Sequence, residues 1–332
     1  MKKIAIIGAQ GMVGGKILEL LTDKFKMPGI QLVLFEHVSQ AGKKIKAGGQ
    51  TYTLLELNEK NLHATRPDFA LFAAGGDISA KFAPIIAGMG GIVIDNSSHF
   101  RMHKDVPLIV PEVNPEHLGN IKMGAGRIIA NPNCSTIQAL VSLKPLDESF
   151  GLKRINYATY QAVSGAGKPG LRDLELGKAG QTHQNFAHPI FNNLIPQIDV
   201  FLDNGYTKEE MKMIEETKKI LGKPGLDVTC TAVRVPVSNC HSIAIEAQFE
   251  KPVCAVEAKE ILATAKGVKL VDQPSQNNYP MPIMADQQDE VFVGRIRVHP
   301  TDPNTLAFFC VADNVRKGAA TNAVQILELI VL

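Results

Sequence analysis

The sequence predicts an α/β fold in two parts: a parallel sheet covered on both faces, then a mixed, largely antiparallel sheet half covered by helices. Three observations predict it. Short, continuously apolar runs alternate with helical periodicity through the first third of the chain, the pattern of strands buried on both faces. Longer runs follow one another in the middle. There Ile243, Ile245 and Ala247 alternate with Ala244, Glu246 and Gln248, as strands with one covered face do. The chain has 332 residues, 45% of them hydrophobic, which suffices for two domains with ordinary cores.

The first strands are expected at Ile4–Gly8, Leu32–Glu36, Phe69–Ala74, Ile92–Asp95, Leu108–Val110 and Ile128–Ala130, with helical patterns at Met12–Thr22 and Ile78–Met89. A helix over Ser135–Phe150 and a strand over Lys153–Val163 follow. Gly165–Asn193 is rich in Gly, His, Asn and Gln and reads as loop. Then come a helix at Lys208–Leu221, strands at Asp227–Val237 and Ser242–Phe249, a helix at Val256–Lys266, and strands at Glu290–His299 and Thr305–Ala312. The last helix, Lys317–Val331, puts Ala320, Val324, Leu327 and Val331 on one face. That face is expected to return to the first domain. The domains are then 1–133 with the C-terminal segment 313–332, and 134–312.

Composition narrows the function. The 35 Lys+Arg balance 33 Asp+Glu, which leaves no basic stripe for nucleic acid. No apolar run approaches the roughly 18 residues of a membrane span. The apolar opening of the chain is short and runs straight into a glycine loop, so it is not read as a signal peptide. The five cysteines form no Cys-x-x-Cys pair, which argues against a disulfide scaffold or a structural zinc and favours a reducing cytoplasm. His183 and His188 flank a short loop segment but lack a third partner, so no metal is expected. Cys230, Cys254 and Cys310 lie in apolar patterns and read as core. Cys240 adjoins His241 and, in a strand, would point the other way.

Gly8-Ala9-Gln10-Gly11-Met12-Val13-Gly14 follows an apolar strand and opens a helix. That is the setting of a Rossmann-type dinucleotide loop, although the spacing is G-x-x-G-x-x-G. Gly11 would let backbone N–H groups approach a pyrophosphate, and the helix would present its positive end to that charge. Glu36 ends the second strand, 25 residues beyond Gly11, where a ribose-binding acid is expected. Such an acid favours NAD. Ser39 and Gln40, with Lys43 and Lys44 nearby, would instead suit a 2′-phosphate.

Asn131-Pro132-Asn133-Cys134-Ser135-Thr136 joins a strand to a helix. Cys134 therefore stands at a helix N-terminus, where a thiolate is stabilised and can attack an aldehyde or acyl phosphate. Pro132-Asn133-Cys134-Ser135-Thr136 resembles the nucleophile segment of the aspartate-semialdehyde dehydrogenases. Further segments resemble the same family in order and spacing: Asp95–Arg101, Val110–Asn114, Tyr160–Gly167, Ile195–Asp199, Glu216–Lys219, Arg234–Val237 and Cys240–Ser242.

The resemblance implies a Rossmann-type dinucleotide-binding domain plus an α/β catalytic domain with a mixed, largely antiparallel sheet, assembled as a homodimer. It implies reversible NADPH-dependent reduction of aspartyl 4-phosphate to aspartate 4-semialdehyde and phosphate, on the route to lysine, threonine and methionine. Cys134 would form the thioester, His241 would be the general acid/base, with an unperturbed pKa of about 6.5, and Gln161 would position the acyl oxygen or the cysteine. Arg234 would grip the substrate carboxylate as a guanidinium fork. Glu216 would take the amino group, and Asn133 would contact substrate or simply cap its helix. Arg101 and Lys219 would bind phosphate. Gly8, Gln10, Gly11, Met12, Val13, Gly14, Val38, Ser39, Gln40, Ala74, Gly75, Ser164, Gly165 and Asn314 would contact the cofactor. NADP is expected, with NAD the alternative that Glu36 would favour.

Arg234 precedes His241 by seven residues. One strand through both would put them on opposite faces, so the chain must break or bulge between Pro236 and Asn239. Two features depart from many family members: the segment after Gly167 is short, and Ser39 stands where an Arg is common. N-acetyl-glutamyl-phosphate reductase, with P-G-C-[YF]-x-T at its nucleophile, is the competing enzyme. Glyceraldehyde-phosphate dehydrogenase, with S-C-T-T-N, fits less well. A noncatalytic paralogue is opposed by the presence of Cys134, Gln161, Arg234 and His241 together.

Overall fold

Alternation along the first apolar run decides both faces of the first sheet. In the computed structural model, which describes residues 1–25, 29–119 and 124–331, that run forms β1 (Lys2–Ile7). It is followed by α1 (Met12–Asp23), β2 (Ile30–Glu36), β3 (Lys44–Ala47), β4 (Gln50–Glu56), α2 (Glu59–Thr65), β5 (Phe69–Phe72), α3 (Gly76–Gly88), β6 (Ile92–Asp95) and β7 (Arg127–Ala130). The sheet order is β3-β4-β2-β1-β5-β6-β7. All neighbours are parallel except β3 and β4. Ile4 and Ile6 pack with Ile17, Leu20 and Leu21 of α1 and with Val324 and Leu327 of the C-terminal helix. Ala5 and Ile7 face the other way, into a core with Leu62 of α2 and Phe82 and Ile86 of α3. Successive side chains of a strand point to opposite faces, so one apolar run feeds two cores.

The C-terminal segment begins as a π-helical turn at Arg316–Ala320 and continues as an α-helix over Thr321–Val331. Asn322 fixes the helix by donating from Nδ2 to Ile109 O at 3.0 Å and to Asn131 Oδ1 at 2.7 Å. Leu332, the last residue of the expected segment 313–332, lies outside the described residues. The chain divides into two compact units, Met1–Pro132 with Ala319–Leu332, and Asn133–Gly318.

The second unit contains α4 (Cys134–Phe150), β8 (Leu152–Gln161), α5 (Gly167–Lys178), α6 (Lys208–Leu221), β9 (Asp227–Arg234), β10 (His241–Phe249), α7 (Ala255–Thr264), β11 (Val268–Leu270), α8 (Pro282–Ala285), β12 (Val291–Val298) and β13 (Thr305–Ala312). Its sheet runs β11-β12-β13-β10-β8-β9. β10 is antiparallel to both β8 and β13, whereas β8–β9 and β11–β12 are parallel. The helix α4 packs against α6, α7 and β10.

Several expectations change. Leu108–Val110 is not a strand; only an isolated bridge joins Leu108 to Ala130, and the Asn114 side chain ties Val110 N and Leu108 O. The hairpin β3–β4 and the short α2 and β11 lie in segments too short or too polar for the periodicity to show. The expected loop after Gly165 is partly α5. Glycine there serves packing: a Cβ on Gly170 would stand 2.3 Å from Val163 O. The buried Asp173 carboxylate of α5 accepts the N–H groups of Gln184, Asn185 and Phe186 at 2.7–2.8 Å, which ties that stretch beyond the helix back to it. Cys254 is not core; it is exposed at the N-terminus of α7. Among the described residues no helix is long and apolar enough to cross a membrane.

Candidate active site

β9 ends at Arg234 and β10 begins at His241, on opposite sides of β8. The chain does break between them, at a turn whose last residue, Cys240, has φ +73°. The Cys240 thiol is buried beside Val271, Ala285, Phe292 and Val311. The ends of three neighbouring strands thereby gather Gln161, Arg234 and His241.

The backbone of Ala162 ties two of them. Its N–H donates to His241 Nδ1 at 3.0 Å, and its carbonyl accepts from Arg234 Nη1 at 2.8 Å. With Nδ1 held as an acceptor, the His241 proton sits on Nε2. Nε2 is buried and has no partner. The expectation of an imidazole titrating near neutrality is not met. Burial, then the Arg234 guanidinium, push the His241 pKa down to about 3 against the opposing charge of Glu209. Burial also lowers the Arg234 pKa, while Glu209 and Cys134 favour its charge. The Phe186 ring lies 5.9 Å from the Arg234 guanidinium carbon. Gly165 faces both residues: a Cβ there would stand 2.8 Å from Arg234 Nη1 and 3.1 Å from His241 Nε2.

Cys134 is half-buried and is the first residue of α4. Asn133 caps that helix, its Oδ1 accepting from Ser135 N at 2.9 Å and Thr136 N at 3.2 Å. Its own N–H donates to Glu216 Oε2 at 2.6 Å, and its Nδ2 to Glu209 Oε1 at 2.8 Å. Gln161 Nε2 donates to the same Glu209 oxygen at 3.1 Å, and Gln161 Oε1 accepts from Thr159 Oγ1 at 3.0 Å. A Cβ on Gly318 would come within 2.8 Å of Cys134 Cβ, so this glycine also keeps room at the cysteine. Ser135 Oγ and Gln138 Oε1, near the start of α4, are buried without partners, as His241 Nε2 is. Among the described residues these three are the buried side-chain polar atoms left unpaired, and such atoms mark a place for a ligand or water.

Lys219 lies one turn beyond Glu216 on α6; burial lowers its pKa and the Glu216 charge partly restores it. Ser164 and Asn314 meet each other, Asn314 Nδ2 donating to Ser164 Oγ at 3.0 Å, and Asn314 Oδ1 accepts from Cys240 N at 3.0 Å.

Arg101 and the glycine loop belong to the first unit. Arg101 is buried and donates to Asn131 O at 2.9 Å and Asn96 O at 2.8 Å. The Asp95 carboxylate in that motif is structural, accepting from Ser79, Ser97 N and Ser97 Oγ. In the loop, Gly8 has φ +84° and Gly14 packs so closely that a Cβ would stand 2.1 Å from Gly8 O. Gly11 begins α1 and Gly75 begins α3, neither with a side-chain cap. Met12, Val13 and Ala74 adjoin these two helix starts. Two helix N-termini cleared of side chains fit a dinucleotide phosphate. Glu36 Oε1 accepts the Gln10 N–H at 2.6 Å. Exposed Val38 starts a short 3₁₀ turn with Ser39 and Gln40. The Gln40 side-chain Oε1 there accepts from Lys43 Nζ at 2.8 Å.

Reasoning from sequence missed Glu209, Lys212, Ala162 and Gly318. Lys208-Glu209-Glu210-Met211-Lys212 looks like an exposed first turn; nothing local shows that Glu209 is buried. Ala162 acts through its backbone, which the side chain does not advertise.

Residues 3–121 match the family model described as "Semialdehyde dehydrogenase, NAD binding domain", and residues 143–317 match "Semialdehyde dehydrogenase, dimerisation domain". The fold and these matches define a semialdehyde dehydrogenase, an oxidoreductase with a nicotinamide-dinucleotide domain. The aspartate-semialdehyde dehydrogenase of Campylobacter jejuni is 47% identical over 98% of this chain and 96% of that protein. The crystal structure of aspartate semialdehyde dehydrogenase II complexed with ASA from Vibrio cholerae superimposes with a TM-score of 0.92 at 42% identity, covering 100% of this chain and 98% of that one. The Candida albicans enzyme with NADP gives a TM-score of 0.78 at 25% identity, covering 99% and 98%. The chain belongs to the aspartate-semialdehyde dehydrogenase family.

Proposed function

We propose that this chain reversibly interconverts aspartyl 4-phosphate with aspartate 4-semialdehyde and phosphate, in the cytoplasm, as a homodimer using NADP. The observation that carries the reading is the unpaired His241 Nε2–H beside Arg234, with Arg234 in electrostatic reach of Cys134. In the phosphorylating direction the Cys134 thiolate attacks the aldehyde carbon, and the carbonyl oxygen, now an oxyanion, accepts a hydrogen bond from the Nε2–H of His241. A neutral, preoriented N–H donor in a buried site stabilises such an oxygen without charge reorganisation. A nicotinamide dinucleotide held by the glycine loop would accept or supply the hydride. Phosphate then attacks the Cys134 thioester and frees the thiol, so one hard step becomes two easier ones.

Arg234 holds the substrate carboxylate, Glu216 its amino group, and Arg101 and Lys219 the phosphate. Gln161 and Asn133 hold oxygens of the acyl and phosphoryl groups. Residues 1–133 with 313–332 bind the dinucleotide, and 134–312 supply the chemistry and the dimer contact. NADP is favoured over NAD because Glu36 turns back onto the Gln10 N–H. The Ser39 hydroxyl and the Lys43–Gln40 pair remain to meet a 2′-phosphate.

The test follows nicotinamide absorbance at 340 nm with aspartate semialdehyde, phosphate and either NADP or NAD. Wild type shows phosphate-dependent reduction and prefers NADP, and Cys134→Ala shows none. A folded wild type without turnover refutes the reading.

A further inference from the structure

The mechanism leaves one buried carboxylate of the second unit unused. Asp173, in α5, is 1% exposed. It accepts four hydrogen bonds, two on each oxygen. Oδ1 takes Gln184 N at 2.8 Å and Asn185 Nδ2 at 2.9 Å, and Oδ2 takes Asn185 N at 2.8 Å and Phe186 N at 2.7 Å. All four partners are amides, and an ionised carboxylate, being acceptor-only, can serve them together. An isosteric asparagine would set its own NH2 against two of them, donor against donor.

The segment so anchored meets Arg234 twice. The Phe186 ring lies 5.9 Å from the guanidinium carbon. Further on, Ile195 exchanges both main-chain hydrogen bonds with Arg234, at 3.0 Å from Ile195 N and 2.8 Å from Arg234 N. Ile195 and Phe186 also share one apolar cluster with Val163, Leu174 and Ile190. A Cβ on Gly170 would stand 3.2 Å from Phe186 Cζ, so α5 fixes the far edge of the ring.

Arg234 needs such support. It is 6% exposed, and Ala162 O is the one acceptor that its guanidinium meets among the described residues. A single bond through Nη1 leaves the plane of the fork able to rock. An aromatic ring over its face sets that plane and keeps water off it.

We propose that Phe186 is a positioning residue for Arg234: the strap 184–195, anchored on Asp173, lays the ring over the guanidinium, aims its fork at the substrate carboxylate, and so selects aldehydes that carry one. This rests on the function proposed above.

The test compares aspartate semialdehyde with 3-aminopropanal, which keeps the aldehyde and the amine but has no carboxylate. Phe186→Leu stays apolar and loses the ring face. It raises KM for aspartate semialdehyde about tenfold, the size of one buried cation–π contact. Meanwhile kcat moves by less than about threefold, and kcat/KM for 3-aminopropanal by less than about twofold. Replacing Phe186 with 3,5-difluorophenylalanine keeps the ring's shape and drains its face of negative charge. That raises the same KM about threefold and covers the case in which Phe186→Leu does not fold. Asp173→Asn repeats the pattern more weakly than Phe186→Leu. A second readout needs no turnover. In protein labelled with 15N-arginine, the Arg234 Nε–H resonance, assigned through Arg234→Lys, carries a ring-current shift that is lost in Phe186→Leu and reduced in Asp173→Asn. Equal losses on both aldehydes, or an Arg234 resonance that neither variant moves, overturn the proposal. An inactive wild type whose Arg234 resonance still depends on Phe186 overturns the assigned reaction and leaves the ring over the guanidinium standing.

Discussion

The N-termini of α1 and α4 are the same structural object put to opposite uses. At α1, Gly11 supplies the first position with no side chain and no cap. The helix end is left open to an anion from outside. At α4, Asn133 covers its own helix end with Oδ1, and its amide and N–H are held in turn by Glu209 and Glu216. That end is closed around a fixed cysteine. Both helices carry the same positive end; the residue at the cap decides whether that end is left open or is covered by the chain's own side chain beside Cys134.

The largest expected effect comes from turning the first end into the second. Gly11 has φ −66°, which any residue adopts, and a Cβ would meet Gly8 O at 3.3 Å. Gly11→Asp therefore folds and caps α1 with a carboxylate. NADP binding, measured by fluorescence titration, weakens by about a thousandfold, since facing like charges costs several kcal/mol. The melting temperature stays level or rises slightly, because Asp and Gly differ as caps by only a few tenths of a kcal/mol. If NADP binds the variant as tightly as wild type, the open-end reading is wrong.

Opening the second end is the reverse experiment. Asn133→Ala removes the cap and costs about 1–2 kcal/mol in urea unfolding, with kcat falling by at least about tenfold while NADP affinity is unchanged. A coupled loss of NADP affinity would deny the division of labour between the two ends.

The smallest effect asks whether the closed end also excludes protons. His241 has a pKa of about 3 in the folded chain against 6.5 for the free side chain. Between those values the unfolded chain binds the proton and the folded chain does not, so stability falls as pH drops below about 6.5. The slope is about 1.4 kcal/mol per pH unit. Glu209, with a folded pKa of about 2 against 4.5, adds its own loss below about pH 4.5. Urea midpoints between pH 7 and 5 should show the slope in wild type and lack it in His241→Asn. A flat wild-type profile would mean that the imidazole takes up its proton in place.

What could be read from sequence was local. Ile4 through Ile7 declare two buried faces by composition alone, and Asn133-Cys134 announces a helix start within three residues. The Arg234–His241 spacing also forced a break in the strand. It could not show that β8 is inserted between the two strands, a pairing fixed only by the sheet order. Glu209 was illegible for a related reason. Its neighbours in sequence are charged, and the two amides that bond it lie 76 and 48 residues away. Gly165–Asn193 misled because its glycines look like loop, whereas Gly170 is there to let α5 approach Val163.

The hold on His241 is made by the main chain of Ala162. Substitution at 162 by any residue that kept the backbone path would leave the imidazole with the same tautomer; only proline would take the N–H away. The proton inventory of the site is thus written into chain geometry, where side-chain drift does not reach it. In an inherited lineage this lets the surrounding pocket change shape without disturbing which nitrogen of His241 carries hydrogen.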